Sequence, residues 1–267
     1  MLRDLRYATA DGIDLHLDLY LPAVRPAPLC VYVHGGGWMR GARTDRAAER
    51  LLPVARAGVA VASVDHRLSG QATFPAPLDD VRAAVRWLRA SAADHGLDGT
   101  RIGAWGASAG GHLAAMLGLT RDTRDAELGS SAVQAVVAWF ASTDLLALAT
   151  DPPEGPLPPF VTGPLPDPPF EARLLGVAAA ADAPEQARAA SPVTHAHAGA
   201  PPFLLVHGDR DGLVPSAQSR RLADALRASG ADVTLWLLAG GNHEDPAFDR
   251  PESLGAVAAF LRERLAG

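Results

Sequence analysis

The chain is predicted to be an α/β protein: a mostly parallel eight-stranded sheet with helices on both faces. Three observations predict it. Short apolar runs of strand length recur from near the N-terminus, amphipathic stretches of helical period separate them, and Gly or Pro punctuates the junctions. Leu5 to Ala8 and Ile13 to Leu21 flank Asp11-Gly12, a hairpin signal. Leu29 to Val33 is a short buried strand that ends at His34-Gly35-Gly36-Gly37. Ala42 to Ala57 is a helix candidate closed by Gly58, and Val59 to Val64 is the next strand. Pro77 to His95 carries Leu78, Val81, Val85 and Leu88 at helical spacing, and Gly96 stops it. Arg101 to Gly106 is a strand that runs into Ala107-Ser108-Ala109-Gly110 and a helix from Gly111 to Leu119. Strands follow at Ala132 to Phe140, Phe203 to His207 and Val233 to Leu238, the last two trailed by helices Ser216 to Ser229 and Pro251 to Leu265.

One segment breaks the alternation. Residues 145–200 contain Pro152-Pro153, Pro158-Pro159 and Pro168-Pro169, and proline removes backbone donors and fixes φ, so this stretch is not regular sheet. An insertion of that length in a compact domain predicts a lid over a site. The expected organisation is one domain over 1–267 with a lid at about 145–200.

Composition narrows the function classes. With 48% hydrophobic and 20% charged residues, the balance is that of an ordinary globular protein. Net charge is −6, all 24 basic residues are Arg, and they are scattered among acids, so nucleic acid is not an expected partner. The lone Cys30 lies in an apolar strand and reads as a buried thiol. No apolar leader follows Met1 and no run approaches about 18 apolar residues, so a cytoplasmic protein without a membrane span is expected.

The chemistry concentrates at Gly106-Ala107-Ser108-Ala109-Gly110, a G-x-S-x-G pattern between a strand and a helix. That setting exposes a nucleophilic serine on a tight turn and aims a helix N-terminus at developing negative charge. Upstream, the glycines of His34-Gly35-Gly36-Gly37 let amides converge on a carbonyl oxygen; Gly36, Gly37 and Ala109 are the expected oxyanion donors. No G-K-[ST] or G-x-G-x-x-G follows that strand, which disfavours a phosphate loop. Serine needs a base and an acid. Among nine histidines, His243 follows the last strand in a Gly-Gly-Asn turn and is the expected base. His66 and His207 end strands and read as structural, and His112 reads as packing. Asp211 is the expected acid, with Asp209 and Asp144 as rivals; Asp209 suits holding its own loop. The order Ser108, Asp211, His243 is that of α/β-hydrolases.

His34-Gly35-Gly36-Gly37-Trp38, Asp65-His66-Arg67-Leu68, Phe74-Pro75-Ala76-Pro77-Leu78-Asp79-Asp80, Gly106 to Ala114 and Ala190-Ser191-Pro192-Val193-Thr194 resemble the hormone-sensitive-lipase-type carboxylesterases. They are most similar to the bacterial branch with acetyl, xylan acetyl and feruloyl esterases. The resemblance spans about residue 28 to the C-terminus. It implies an α/β-hydrolase fold and a serine carboxylesterase that cleaves small, short-chain acyl esters through an acyl-enzyme, with no metal or organic cofactor and a small ester as its partner. Departures from the family pattern are Ala107 in place of an acid, His66 in place of Tyr, and a start directly at the hairpin. Arg67 is expected to pair with Asp79 or Asp80, and Trp38 either lines the pocket or packs beneath the glycine loop. Phe160, Phe170 and Leu174 are expected to line the substrate pocket. The alternatives are a peptidase, amidase or formamidase of the same fold, or a binding protein without catalysis.

Overall fold

Alternation along the strands decides which side of the sheet each residue covers. In β3 (Ala27–Val33), Leu29, Val31 and Val33 enter one apolar core, while Cys30 and Tyr32 enter the other. The structure, a computed structural model, describes residues 1–266. Its sheet has eight strands in the order β1-β2-β4-β3-β5-β6-β7-β8. β1 (Leu2–Ala10) and β2 (Ile13–Tyr20) form an antiparallel hairpin, and β2 is also antiparallel to β4 (Ala60–Val64). From β4 through β3, β5 (Leu97–Ala107), β6 (Ala135–Trp139), β7 (Phe203–Gly208) and β8 (Val233–Leu238) every neighbour is parallel. The expected mostly parallel sheet, covered on both faces, is therefore what the chain forms.

Two short helical pieces, a π-helical turn (Ala47–Leu51) and α1 (Leu52–Arg56), occupy the span predicted as one helix over 42–57. The turn opens at Arg46 with φ 55°, and Pro53, which has no N–H to continue a regular ladder, stands in the first turn of α1. α2 (Ala76–Ser91) buries Leu78, Val81, Val85 and Leu88, and a short 3₁₀ turn then ends at Gly96 in the left-handed region. α2, α3 (Ala109–Leu119) and α8 (Ala217–Ala228) cover one face of the sheet; α1 and α9 (Pro251–Leu265) cover the other. α4 (Asp125–Leu128) is a surface turn after α3.

Between β6 and β7 the proline-rich stretch is irregular apart from α5 (Leu145–Leu148), α6 (Phe170–Leu175), α7 (Pro184–Ala189) and two 3₁₀ turns. Since the central strands run parallel, the loops leaving β3, β5, β7 and β8 all emerge at one edge of the sheet. Arg67 grips Asp80 with its backbone N–H, Nε and Nη2, while Asp79 pairs with Arg82 and Arg124. Cys30 is buried and free, and burial pushes its thiol pKa up. Among the described residues, no helix is long and apolar enough to cross a membrane.

Candidate active site

Steric demands are tight around Ser108. β5 ends at Ala107 and α3 starts at Ala109, so one residue must reverse the chain, and Ser108 does so at φ 55°, ψ −119°. This is a strained conformation for a side chain with a Cβ. The bonds Ser108 N–H to Trp139 O (2.9 Å) and His112 N–H to Ser108 O (3.0 Å) hold it. A Cβ on Gly106 would collide with the Gly110 carbonyl, and one on Gly110 would collide with the carbonyls of Val33 and His34. Both glycines are thus required by close backbone passage, as the motif implied.

From Ser108 a hydrogen-bond chain runs inward. Ser108 Oγ lies 2.9 Å from His243 Nε2, and His243 Nδ1 lies 2.7 Å from Asp211 Oδ2. With Nδ1–H donating to the carboxylate, Nε2 is left to accept the serine proton. Asp211 is fully buried and its Oδ1 accepts the N–H groups of Leu213 and Val214, each at 2.8 Å. Burial opposes its ionisation, but the His243 and His207 imidazoles outweigh that and hold the carboxyl well below the usual carboxylate range. The rival acids have local duties: Asp209 accepts the Gly240 N–H at 2.7 Å, and Asp144 caps α5 through the Ala147 N–H at 3.1 Å.

Gly36, Gly37 and Ala109 line the same cavity as Ser108. Gly36 (φ 118°) turns the loop by accepting the N–H groups of Met39 and Arg40, and Gly37 (φ 62°) lies so close beneath the Phe170 ring that a Cβ would strike it. Trp38 lies between the cavity and the core. It borders the cavity, yet it is buried and donates Nε1–H to His112 Nδ1 (3.3 Å), whose Nε2–H bonds Ala190 O (2.7 Å). Burial lowers the His112 pKa to about 4, so this imidazole is a neutral link between the glycine loop, α3 and the end of the proline-rich segment. Phe160 and Phe170 border the cavity that Ser108 lines, with Phe160 6.4 Å from the His243 ring. Leu174 does not; it is fully buried in the core, because α6 turns that face toward the sheet side and its carbonyl binds Phe74 N–H.

Several residues at the site carried no sequence signal. Asn242 Oδ1 accepts the N–H groups of Gly212 and His243, and its Nδ2 donates to Pro156 O, which ties the acid loop, the base loop and the proline-rich segment together. His207, expected to be structural, sits with Nε2 2.8 Å from Val214 O and 3.3 Å from Asp211 Oδ2, so it buttresses the acid. Glu244 follows His243 at φ 55° and meets Arg50, which projects from the π-helical turn. Arg50 is 1% exposed, bonds both Glu244 and Asp249 bidentately, donates to Tyr32 Oη and lies 5.0 Å over the Trp139 ring. His66 stacks on His34 at 4.6 Å, and burial lowers its pKa to about 3. The cavity holds about 820 Å³, the size of a drug-sized ligand site. Among the described residues, no group of three His, Cys, Asp or Glu side chains is gathered to hold a metal.

The BD-FAE family model matches residues 17–226, a span that includes Ser108 and Asp211 and stops short of His243. The esterases LipQ and LipC of Mycobacterium tuberculosis are 32% and 33% identical over 90% of this chain, covering 53% and 59% of those proteins. The chain thus spans about half the length of the curated relatives it matches. A truncated carbohydrate esterase from gut microbiota superposes with a TM-score of 0.86 at 28% identity, over 99% of this chain and 96% of its own. Esterase 2 of Thermogutta terrifontis does so with a TM-score of 0.75 at 28% identity, over 98% and 92%.

Proposed function

The chain belongs to the BD-FAE family of α/β-hydrolase-like esterases, and on that footing we propose that it is a serine carboxylesterase for small, short-chain acyl esters. The observation that carries the reading is the unbroken chain from Ser108 Oγ through His243 to Asp211, at 2.9 and 2.7 Å. In that arrangement His243 Nε2 takes the hydroxyl proton as Oγ attacks the ester carbonyl. The oxygen gains negative charge beside the amides of Gly36, Gly37 and Ala109 and the N-terminus of α3. Collapse of the tetrahedral species breaks the ester C–O bond, and His243 returns the proton to the leaving alcohol. Water then attacks the acyl-Ser108 ester by the same route and releases the acid. Asp211 holds the imidazole with Nδ1–H outward from the serine and stabilises its cation.

Leu148, Phe160, Leu165 and Phe170, all from the segment at 145–200, wall the cavity, and on that basis we read the segment as the cap of a single hydrolase domain. A fluorophosphonate probe tests the nucleophile: labelling of the wild type that disappears in Ser108→Ala is expected, and an unlabelled wild type refutes the proposal. Rates on 4-nitrophenyl esters from acetate to decanoate test the acyl preference, which should fall beyond short chains.

A further inference from the structure

The proline-rich segment is bonded to the triad loops more closely than a hinged cover requires. Its first arm, residues 154–156, lies against the loop between β7 and α8 that carries Asp211. Glu154 N–H donates to the Asp211 carbonyl at 3.2 Å. The Glu154 carboxylate accepts Ser216 N–H at 2.7 Å and Ser216 Oγ–H at 2.9 Å. Backbone meets backbone between these contacts: a Cβ on Gly155 would collide with the Arg210 carbonyl, and one on Gly212 would collide with the carbonyls of Gly155 and Pro156. From the other side, Arg210 N–H donates to the Gly241 carbonyl at 2.9 Å. The acid loop is therefore held between the arm and the turn that carries His243.

Asn242 closes this joint. Its Oδ1 accepts Gly212 N–H at 3.0 Å and His243 N–H at 2.7 Å, while its Nδ2 donates to the Pro156 carbonyl at 2.9 Å. One oxygen thus ties the acid loop to the base, and one nitrogen ties both to the arm. A carboxamide is needed for this: a carboxylate has no donor for the Pro156 oxygen, and an aliphatic side chain has neither group. We propose that Asn242 is a positioning residue, and that residues 154–156 act with it as a fixed strut that sets Asp211 and His243 against each other. The inference rests on the esterase reading above. Proton transfer from Ser108 needs the 2.9 and 2.7 Å bonds of the triad aligned at the same time. Asp211 and His243 both stand on loops outside the strands and helices, so other contacts must hold them in place. A misplacement of about 1 Å at such a site costs up to about 10²-fold in rate.

Two substitutions, made in the full chain, disturb the strut from opposite ends. Gly155→Ala sets a methyl group against the Arg210 carbonyl and pushes the arm off the acid loop. Asn242→Leu keeps the size of the side chain and removes both polar groups. On 4-nitrophenyl acetate each should lower kcat at least about tenfold with KM within about twofold. The double variant should lose little more than either alone, because both changes break one joint. A Gly155→Ala protein that moves KM and keeps kcat would make the arm a cover only, and a fall in Tm with kcat intact would make the contacts structural. Either result overturns the proposal, as do losses that multiply in the double variant. Inactivation by a fluorophosphonate reads the Ser108–His243 pair without an ester, and its rate should fall in step with kcat. Hydrogen exchange reads the loops without any catalysis: the Gly212, Leu213 and Val214 amides should exchange at least about tenfold faster in both variants. Unchanged exchange refutes this inference. Protection that is present in the wild type and lost in both variants, in a protein that hydrolyses no ester, refutes only the esterase reading.

Discussion

Replacing Arg50 with Met keeps the length of the side chain and removes its charge and donors. In the native protein Nε donates to Asp249 at 2.7 Å, Nη1 to Tyr32 Oη at 3.0 Å, and Nη1 and Nη2 to Glu244 at 3.3 and 3.2 Å. Without it, Glu244 and Asp249, whose side chains are 19% and 12% exposed, keep only Arg46, at 3.3 and 3.7 Å and itself 44% exposed. Removing one partner of a buried ion pair costs about 3–5 kcal/mol, and the surviving Arg46 places this case at the lower end, about 3 kcal/mol. For a chain of this size that is a fall in Tm of roughly 6–10 °C by scanning calorimetry. The pH dependence has a definite sign. In the wild type Arg50 overcomes burial and depresses the Glu244 pKa, so Glu244 contributes stability above the ordinary carboxylate pKa and loses it in acid. In the variant only Arg46 and the His243 imidazole still oppose burial, so the pKa rises, and the penalty at pH 7 shrinks as Glu244 takes up a proton. The Tm gap between wild type and variant should therefore narrow from pH 7 to pH 5. Adding Glu244→Gln and Asp249→Asn should recover most of the loss, because no buried charge is then orphaned. A gap below 2 °C at pH 7, or one that widens in acid, would refute this account.

Asp211→Asn should retain the bonds from Leu213 and Val214 through its oxygen but turn an NH₂ toward His243 Nδ1. The imidazole is then driven to carry its proton on Nε2, where it cannot accept from Ser108, and kcat on 4-nitrophenyl acetate should fall by about 10³–10⁴; a larger loss in Asp144→Asn would reassign the acid. His66 and His112 are depressed to about 3 and about 4 by burial, so the unfolded chain binds their protons first. The stability they allow is complete above pH 6.5 and is lost as pH falls toward those values, by about 2 kcal/mol each between pH 7 and pH 5. Urea midpoints at the two pH values measure it, and His112→Gln should flatten the slope. Gly110→Ala should lose more than about 3 kcal/mol, or fail to fold, since the new Cβ meets backbone that cannot yield. By contrast Gly255→Ala, in α9 with open space around it, should gain about 0.5–1 kcal/mol in the same denaturant assay.

What was legible in the chain is what local geometry dictates. Strands and helices were readable because β3 is an unbroken apolar run of strand length, buried on both faces, and burial repeats every three or four residues in α2. Gly106 and Gly110 were readable because a close backbone passage excludes all other residues. Asp211 and His243 stood out because each follows a strand at the edge where parallel strands end. The π-helical turn was not legible, since it depends on Arg46 taking a left-handed conformation inside a run of good helix formers. Arg50 was not either: its partners lie 194 and 199 residues away, and no spacing rule reaches that far. Leu174 and Phe170 read alike as apolar residues of one segment. Only the orientation of α6 sends Phe170 over Gly37 and Leu174 into the core.

The turn at Ser108 also sets where this protein can be improved. A side chain held at φ 55° between glycines that admit no methyl group is a site where nearly every replacement either strains the backbone or removes the hydroxyl. Thermostabilising changes therefore have to be sought far from it. The helix surface around Gly255 offers room for that without touching the strained residue. Directed evolution for heat resistance should accumulate its substitutions in a ring away from the C-terminal sheet edge, leaving residues 106–110 unaltered while the rest of the chain drifts.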